Sequence, residues 1–383
     1  MFDRITGGPQ VAGTETATDA TEAATAAIAV ASLRLSYGPA EILRGIDLSL
    51  APGRALALLG PSGSGKTTLL RAIAGLEAPS AGTIALNGRV VADATARRCL
   101  PPEKRGLGMV FQDYALWPHL SVARNVSFAL EMAGVPRAER EARTLASLDR
   151  VGLGTMAARR PAQLSGGQQQ RVGIARAIAS GAGTVLFDEP LSNLDRELRE
   201  TMVDEIAALV ADLGLTALYV THDHAEAFSL ADEVAVMAAG RIVQSAPPER
   251  LVDAPASAWI AAFLRLGAVL PVRVGAEGWA LDDGTPVAPP AAAPRGTTHV
   301  LFTRRALTPC ATADAALTAR VRRCLFKGEG YLATLDLPGG ATLHLPLAQR
   351  ADPGEALPLS LNISALRWFA GGPDQHADPQ TGD

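Results

Sequence analysis

Eight consecutive residues combine glycines, hydroxyl groups and a lysine in the spacing G-x-x-x-x-G-K-[ST]. They are Gly60, Pro61, Ser62, Gly63, Ser64, Gly65, Lys66 and Thr67. The glycines leave room for backbone N–H groups to turn towards an anion. Lys66 can neutralise the outer phosphates of a nucleotide, and the Thr67 hydroxyl is a suitable ligand for Mg²⁺. These residues predict a site for a nucleoside triphosphate.

The flanking sequence supplies the elements that must position this loop. Residues 55–59 are an unbroken apolar run, which predicts a buried strand, and the pattern from Thr68 to Ala74 predicts a helix. A helix that opens at Gly65 directs the positive end of its dipole towards the same anion. A glycine-rich turn between two core elements would not require the lysine and threonine in this register. We therefore expect phosphate binding by residues 60–68, including Thr68.

Two carboxylates follow a second predicted buried strand. Asp188 and Glu189 come directly after the apolar run 185–187. Asp188 can hold Mg²⁺ through water, and Glu189 can polarise a water molecule for attack on a phosphate. A pair of surface acids at a strand end would look the same in isolation.

A second candidate anion site opens the predicted helix that begins near residue 168. Ser165 can cap this helix, and the backbone amides of Gly167 and Gln168 would face a phosphate. A plain capped helix is the alternative interpretation.

Three single residues give weaker signals. His222 follows the predicted strand 217–220 and could place an imidazole near the γ phosphate. Gln112 follows the short predicted strand 108–111, and Tyr37 lies in a predicted turn where its ring could stack on a base. Each residue type is more often structural than functional when it stands alone.

Composition excludes several classes of protein. The chain has 383 residues and a formal net charge of −4, so nothing predicts broad attraction to nucleic acid. Its three cysteines form no C-x-x-C pair, which argues against a zinc site or a disulfide framework and favours a reducing compartment. The sequence contains no apolar run long enough to cross a bilayer, and its N-terminus is unlike an export signal.

The pattern of elements predicts an α/β fold with a second, all-β part. Strands and helices alternate up to about residue 266, as in a P-loop NTPase core with an antiparallel β subdomain and a helical subdomain. Short β-like runs separated by turn clusters follow, which predicts a small all-β domain over 268–370. Residues 1–26 and 371–383 are predicted to be disordered tails, so the main domain covers 27–266.

In this order, from Ala27 to Leu264, the motifs closely resemble those of the ATPase subunit of an ABC transporter. The resemblance implies roles for seven segments: Tyr37 stacks on adenine, Gly60–Thr67 is the Walker A loop, Gln112 marks the Q-loop, Leu164–Gln168 is the signature, Asp188 and Glu189 are the Walker B acid and catalytic base, Ser192–Asp195 is the D-loop, and His222 is the switch histidine. It implies ATP and Mg²⁺ as cofactors, with Thr67, Gln112 and Asp188 around the metal. The β-rich end resembles the TOBE domain of importer ATPases.

The resemblance also implies partners. Two copies would form a head-to-tail homodimer, in which Ser165 and Gly167 of one copy reach the nucleotide on Lys66 of the other. Two transmembrane permease subunits would bind this dimer at the cytoplasmic face of the inner membrane, and an extracytoplasmic solute-binding protein would act indirectly. The loop containing Tyr114, Leu116, Trp117 and Pro118 is expected to meet the permease.

The solute is predicted only by finer resemblance. Residues 112–126 are similar to those of importers of polyamines, ferric iron and phosphonates. Sugar importers commonly carry Arg where Gln169 stands, which counts mildly against a sugar. A sugar or oxyanion importer is the alternative. A third interpretation is a soluble ABC ATPase that acts in DNA repair or on ribosomes. Members of that class usually carry a coiled-coil insertion or two tandem ATPase units, and the sequence shows neither.

Overall fold

The structure is a computed structural model that describes residues 26–192, 196–275, 278–289, 293–294 and 296–373, with only the backbone described for 196–198. The predicted tails lie almost wholly outside these ranges. Packing divides the chain into two units, Met1–Ile242 and Val243–Asp383.

The helices and strands of the described residues alternate in the first unit, and strands dominate the second. The α-helices are α1 (Lys66–Ala74), α2 (Val122–Met132), α3 (Arg137–Arg150), α4 (Gly166–Ala179), α5 (Arg196–Asp212), α6 (His224–Leu230), α7 (Pro248–Asp253) and α8 (Ala258–Phe263). The strands are β1 (Ile28–Tyr37), β2 (Ala40–Leu50), β3 (Ala55–Leu59), β4 (Ala81–Leu86), β5 (Arg89–Asp93), β6 (Arg98–Cys99), β7 (Leu107–Val110), β8 (Thr184–Asp188), β9 (Thr216–Thr221), β10 (Glu233–Ala238), β11 (Arg241–Ala246), β12 (Gly267–Val274), β13 (Trp279–Leu281), β14 (Pro286–Ala288), β15 (His299–Thr303), β16 (Leu307–Pro309), β17 (Leu317–Phe326), β18 (Tyr331–Asp336), β19 (Thr342–Leu347), β20 (Ala356–Leu361) and β21 (Arg367–Phe369).

Five strands in the order β10-β3-β9-β8-β7 form the sheet at the centre of the first unit. Strands β10, β3, β9, β8 and β7 are parallel to one another. Every residue of β3 and β9 is buried, as expected for strands covered on both faces by other elements. Because the carboxyl ends of parallel strands share one edge, the residues after β3, β8 and β9 are brought together there.

An antiparallel sheet in the order β2-β1-β4-β5-β6 packs with helix α1 and the central sheet around one core. This core includes Ile28, Leu43, Leu69, Ile84 and Leu218, all fully buried. Helices α2, α3 and α4 pack on one another, and α4 also packs on β7. The predicted P-loop NTPase core, with its β and helical subdomains, is confirmed.

The second unit contains two five-stranded sheets, β14-β13-β12-β15-β21 and β16-β20-β17-β18-β19, which share an apolar core. The predicted all-β, OB-like part is confirmed. Division by packing begins this unit at Val243, before the predicted limit at residue 268, and within it α8 packs on β12 and β15. In the described residues, no helix combines the length and apolar character needed to cross a membrane.

Candidate nucleotide site

The loop between β3 and α1 has two glycines that the geometry requires. A side chain on Gly60 would collide with the carbonyl oxygen of Met237 on β10. Gly65, the N-cap residue of α1, has φ +100°, and a Cβ there would lie 2.9 Å from the Leu43 Cδ2 atom. The loop is therefore pressed against its neighbours in a backbone conformation that favours glycine. Its shape follows directly from the G-x-x-x-x-G-K-T spacing.

Lys66, the first residue of α1, is buried with only 5% of its surface exposed. Its Nζ donates to the carbonyl oxygens of Gly60 at 2.8 Å and Pro61 at 3.0 Å. Burial lowers the pKa of Lys66, and the nearby charge of Glu189 partly offsets this effect. An ammonium has three donors, so one remains for an oxygen of a bound anion.

Thr67 and Asp188 meet between α1 and the end of β8. Burial raises the pKa of Asp188, whereas the charge of Arg71 and a hydrogen bond with the Thr67 side chain lower it. The pair brings a hydroxyl and a carboxylate to one place, and both are oxygen ligands of the kind that Mg²⁺ prefers. The donor set therefore fits this cation.

Glu189 and His222 are neighbours at the ends of β8 and β9. The Glu189 Oε2 atom lies 3.3 Å from His222 Nδ1, and the Glu189 N–H donates to the Val220 carbonyl at 3.0 Å. Glu189 has φ 46°, a left-handed conformation that is uncommon for a residue with a side chain. The His222 side chain is 56% exposed and that of Glu189 is 25% exposed. Both can therefore meet a ligand at the surface of the loop.

Tyr37 lies at the end of β1 rather than in the turn that the sequence predicted. Its side chain is 47% exposed, and its hydroxyl interacts with Glu77 and with Thr68 on α1. Burial and Glu77 raise the pKa of this hydroxyl. The ring is thus close to the predicted phosphate loop and accessible to a base.

Gln112 lies in the turn after β7, whose last residue, Val110, is paired with Phe187 of β8. The predicted strand extended one residue further, to Phe111. Since β7 and β8 are parallel neighbours, Gln112 follows the same sheet edge as Asp188. Its side chain is exposed.

Ser165, Gly167 and Gln168 form the start of α4. Ser165 Oγ accepts from the Gln168 N–H at 3.4 Å, and Gln168 Oε1 accepts from the Ser165 N–H at 3.1 Å, a reciprocal capping box. A side chain on Gly167 would collide with the sulfur of Met202 on α5. In the described part of the chain these residues therefore contact one another and α5 rather than Lys66.

Other predicted segments have mixed outcomes. In the predicted D-loop, Ser192 Oγ donates to the Glu189 carbonyl at 3.0 Å, while residues 193–195 lie outside the described residues. Gln169 Nε2 donates to the carbonyls of Pro161 and Leu164. This amide braces the turn before α4, which gives Gln169 a local structural role.

The predicted permease-facing loop is part buried and part exposed. Tyr114 is buried, whereas the Trp117 side chain is 37% exposed. Asn125 holds the Trp117 backbone through bonds of 2.8 Å and 3.2 Å, and the indole packs edge-on against Phe128 with ring centroids 4.5 Å apart. Trp117 is thus fixed in place without being a core residue.

Three residues around this site make contacts that the sequence did not indicate. The charge of Arg71 acts on Asp188. Arg71 lies one helical turn after Thr67, and this i, i+4 spacing was the available signal. Thr221 and Glu226 form a buried hydrogen bond of 2.6 Å beside His222. No periodicity signals this second contact.

One family model, several known proteins and a solved structure are similar to this chain. The family described as ABC transporter matches residues 43–192. The chain is 42% identical to the sn-glycerol-3-phosphate import ATP-binding protein UgpC of Burkholderia pseudomallei (strain 1710b), over 93% of this chain and 99% of that protein. It is 40% identical to the Fe(3+) ions import ATP-binding protein FbpC of Streptomyces avermitilis, over 88% of this chain and 96% of that protein. A solved structure of cbiO1 from Clostridium perfringens, part of the ABC transporter complex cbiONQ, matches with a TM-score of 0.53 and 28% identity, over 59% of this chain and 90% of that chain.

Proposed function

The chain belongs to the ATP-binding subunits of ABC importers, and we propose that it hydrolyses ATP bound at residues 60–68, with Glu189 orienting the attacking water. The observation that carries this proposal is the meeting of side chains from three parallel strand ends. The Glu189 carboxylate lies beside His222, and the charge of Glu189 acts on Lys66. The Thr67 side chain is hydrogen-bonded to Asp188.

The proposed reaction forms a bond between the water oxygen and the γ phosphorus and breaks the bond from that phosphorus to the β–γ bridging oxygen. Glu189 accepts a hydrogen bond from the water and takes up its proton as the new bond forms. The free donor of Lys66 stabilises negative charge on the phosphate oxygens. His222 contacts the γ phosphate and Gln112 senses its presence, while Tyr37 stacks on adenine.

Thr67, Asp188 and Gln112 would hold Mg²⁺, which supplies positive charge to the β and γ phosphate oxygens when it is bound. Arg71 balances part of the Asp188 charge in the free chain.

We extend the proposal to a homodimer and to permease partners. Ser165, Gly167 and Gln168 are held at the start of α4 by their own capping box. In the dimer, these residues of the second copy would cover the nucleotide bound at Lys66 of the first copy. Closure and reopening of this dimer would drive two permease subunits at the cytoplasmic face of the membrane. The exposed indole of Trp117 supports permease contact at that loop. A solute-binding protein would act only through the permease.

The relatives' names narrow the solute proposal. We propose an organic phosphate such as sn-glycerol 3-phosphate as the first candidate, because several relatives at about 40% identity are named for that solute. Ferric iron is the second candidate, supported by a relative of similar identity. The sequence prediction of ferric iron is thereby supported, as is its alternative of a sugar-type or oxyanion solute. Polyamine import and phosphonate import stay predictions.

Two variants separate binding from hydrolysis and test the proposed mechanism. Lys66→Ala should lose ATP affinity, since the phosphates lose their buried cation. Glu189→Gln should bind ATP normally but hydrolyse it more than about 100-fold more slowly, because the amide accepts no proton. ATP affinity is measured with a fluorescent analogue and hydrolysis by phosphate release. Hydrolysis by Glu189→Gln within about tenfold of the wild type would show that Glu189 is not the base.

The solute is tested with the chain assembled with its own permease and binding protein in liposomes. Stimulation of ATP hydrolysis by sn-glycerol 3-phosphate supports the first candidate, and stimulation by Fe³⁺ alone supports the second. Stimulation by a polyamine alone would contradict both.

A further inference from the structure

The Thr221 hydroxyl group forms two hydrogen bonds around the turn that carries His222. The Thr221 Oγ1 atom donates to Glu226 Oε2 at 2.6 Å and accepts from the Asp223 N–H at 3.0 Å. Asp223 in turn caps α6 by accepting from the N–H groups of Ala225 and Glu226. Thr221 carries this oxygen atom and Asp223 is hydrogen-bonded to it, so the hydroxyl links the residues on both sides of His222.

Glu226 anchors this arrangement from inside the protein. The residue is 5% exposed, and burial raises the pKa of its carboxyl group, while the Thr221 hydrogen bond and the charge of Arg199 lower it. Arg199 Nε lies 3.6 Å from Glu226 Oε1, and Arg199 Nη1 lies 3.7 Å from Asp223 Oδ2. One guanidinium thus faces both carboxylates that hold the turn.

Arg199 connects the turn to α5, the helix that follows the Glu189 segment along the chain. On the other side of the turn, His222 Nδ1 lies 3.3 Å from Glu189 Oε2. Contacts from His222 therefore lead to Glu189, and contacts from its neighbours lead to the helix after Glu189.

We propose that Glu226, supported by Arg199, is a positioning residue that fixes the His222 imidazole beside Glu189 for hydrolysis. This inference rests on the proposed role of His222. Glu226 does not touch the nucleotide; it acts through the Thr221 hydroxyl. A displacement of about 1 Å at a catalytic group can cost roughly 100-fold in rate, so a short bond behind the turn matters.

The test is a double-mutant cycle on the rate of ATP hydrolysis by the full chain, with the rate normalised to the fraction of protein that binds ATP. Glu226→Ala should lower kcat by roughly tenfold or more, with the KM for ATP changed less than about twofold. Glu226→Gln keeps an acceptor for Thr221 and should recover most of this loss. Glu205→Ala removes an ion pair to Arg171 of 2.7 Å, which α5 makes away from the turn, and should leave kcat unchanged.

The same change is then made in His222→Ala. If Glu226 acts through His222, adding Glu226→Ala to that variant should lower kcat by less than about twofold. A full additive loss would overturn the inference, as would an unchanged kcat in Glu226→Ala alone. If His222→Ala by itself hydrolyses ATP at the wild-type rate, the proposed role of His222 fails, and this inference fails with it. That outcome is distinguished from the others by the single variant.

Discussion

Arg105 is a buried cation that closes the far end of the helix whose first residue is Lys66. Its guanidinium donates to the carbonyl oxygens of Ala72, Ile73 and Leu100, each at 2.8 Å. The residue is 5% exposed, and burial lowers the pKa of its side chain. Within the described residues, no carboxylate lies at ion-pair distance from it. The guanidinium also donates to Cys99 Sγ at 3.3 Å, so its partners are this sulfur and carbonyl oxygens that include two at the negative end of the α1 dipole.

Arg105→Met keeps the apolar stem and leaves the carbonyl groups of Ile73 and Leu100 without the Arg105 donor, whereas the Ala72 carbonyl still accepts from the Gly75 N–H at 3.2 Å. Each buried unsatisfied group costs about 1–3 kcal/mol, and entry of water recovers part of that loss. We therefore expect the free energy of unfolding to fall by about 2–4 kcal/mol. For a unit of this size, the corresponding drop in the first thermal transition is roughly 10 °C.

The assay is thermal unfolding followed by circular dichroism, with urea unfolding as a second measure. Arg98→Met, an exposed position on β6, is the matched control and should change stability by less than about 0.5 kcal/mol. Arg105→Lys should lie between the two, because one ammonium cannot reach all three carbonyls in the fork geometry of a guanidinium. A loss below about 1 kcal/mol in Arg105→Met would refute this account of the α1 end.

Two further predictions concern the proposed partners of the site. Trp117→Ala should weaken copurification with the permease and leave ATP affinity near normal, since the indole packs on Phe128 outside the nucleotide loop; normal assembly by the folded variant would contradict this. Removal of Mg²⁺ with EDTA should abolish phosphate release, because Asp188 and a triphosphate would otherwise repel each other at close range. Full restoration by Mg²⁺ but not by Na⁺ at equal ionic strength is the control, and undiminished hydrolysis in EDTA would rule out the metal site.

The nucleotide loop could be predicted because its geometry depends on local sequence. Gly65 must adopt a positive φ before Lys66 starts a helix, and the spacing alone conveys this requirement. Asp188, Glu189 and His222 were also within reach of prediction, since residues that follow parallel strands meet at one edge however far apart they are in sequence.

Contacts that depend on the path of a long side chain could not be predicted in this way. Arg105 reaches back to α1 across residues 72–105, and Arg199 reaches forward to Glu226, and neither pairing has a period or a motif. The same applies to Gln169, whose identity suggested a solute class although its amide braces the local turn. Side-chain reach, rather than backbone pattern, accounts for each of these differences.

Exposure changes across the site in a way that favours completion by a second copy. Lys66 is 5% exposed, the Glu189 side chain 25%, and the His222 side chain 56%. The inner wall of the site is thus closed, while the groups proposed to meet the γ phosphate remain in contact with water. Interactions among charges strengthen when water is excluded, and the start of α4 offers backbone N–H groups suited to an anion. In the proposed dimer, Ser165 and Gly167 of the second copy would cover this open side, so that closure and the onset of hydrolysis become the same event.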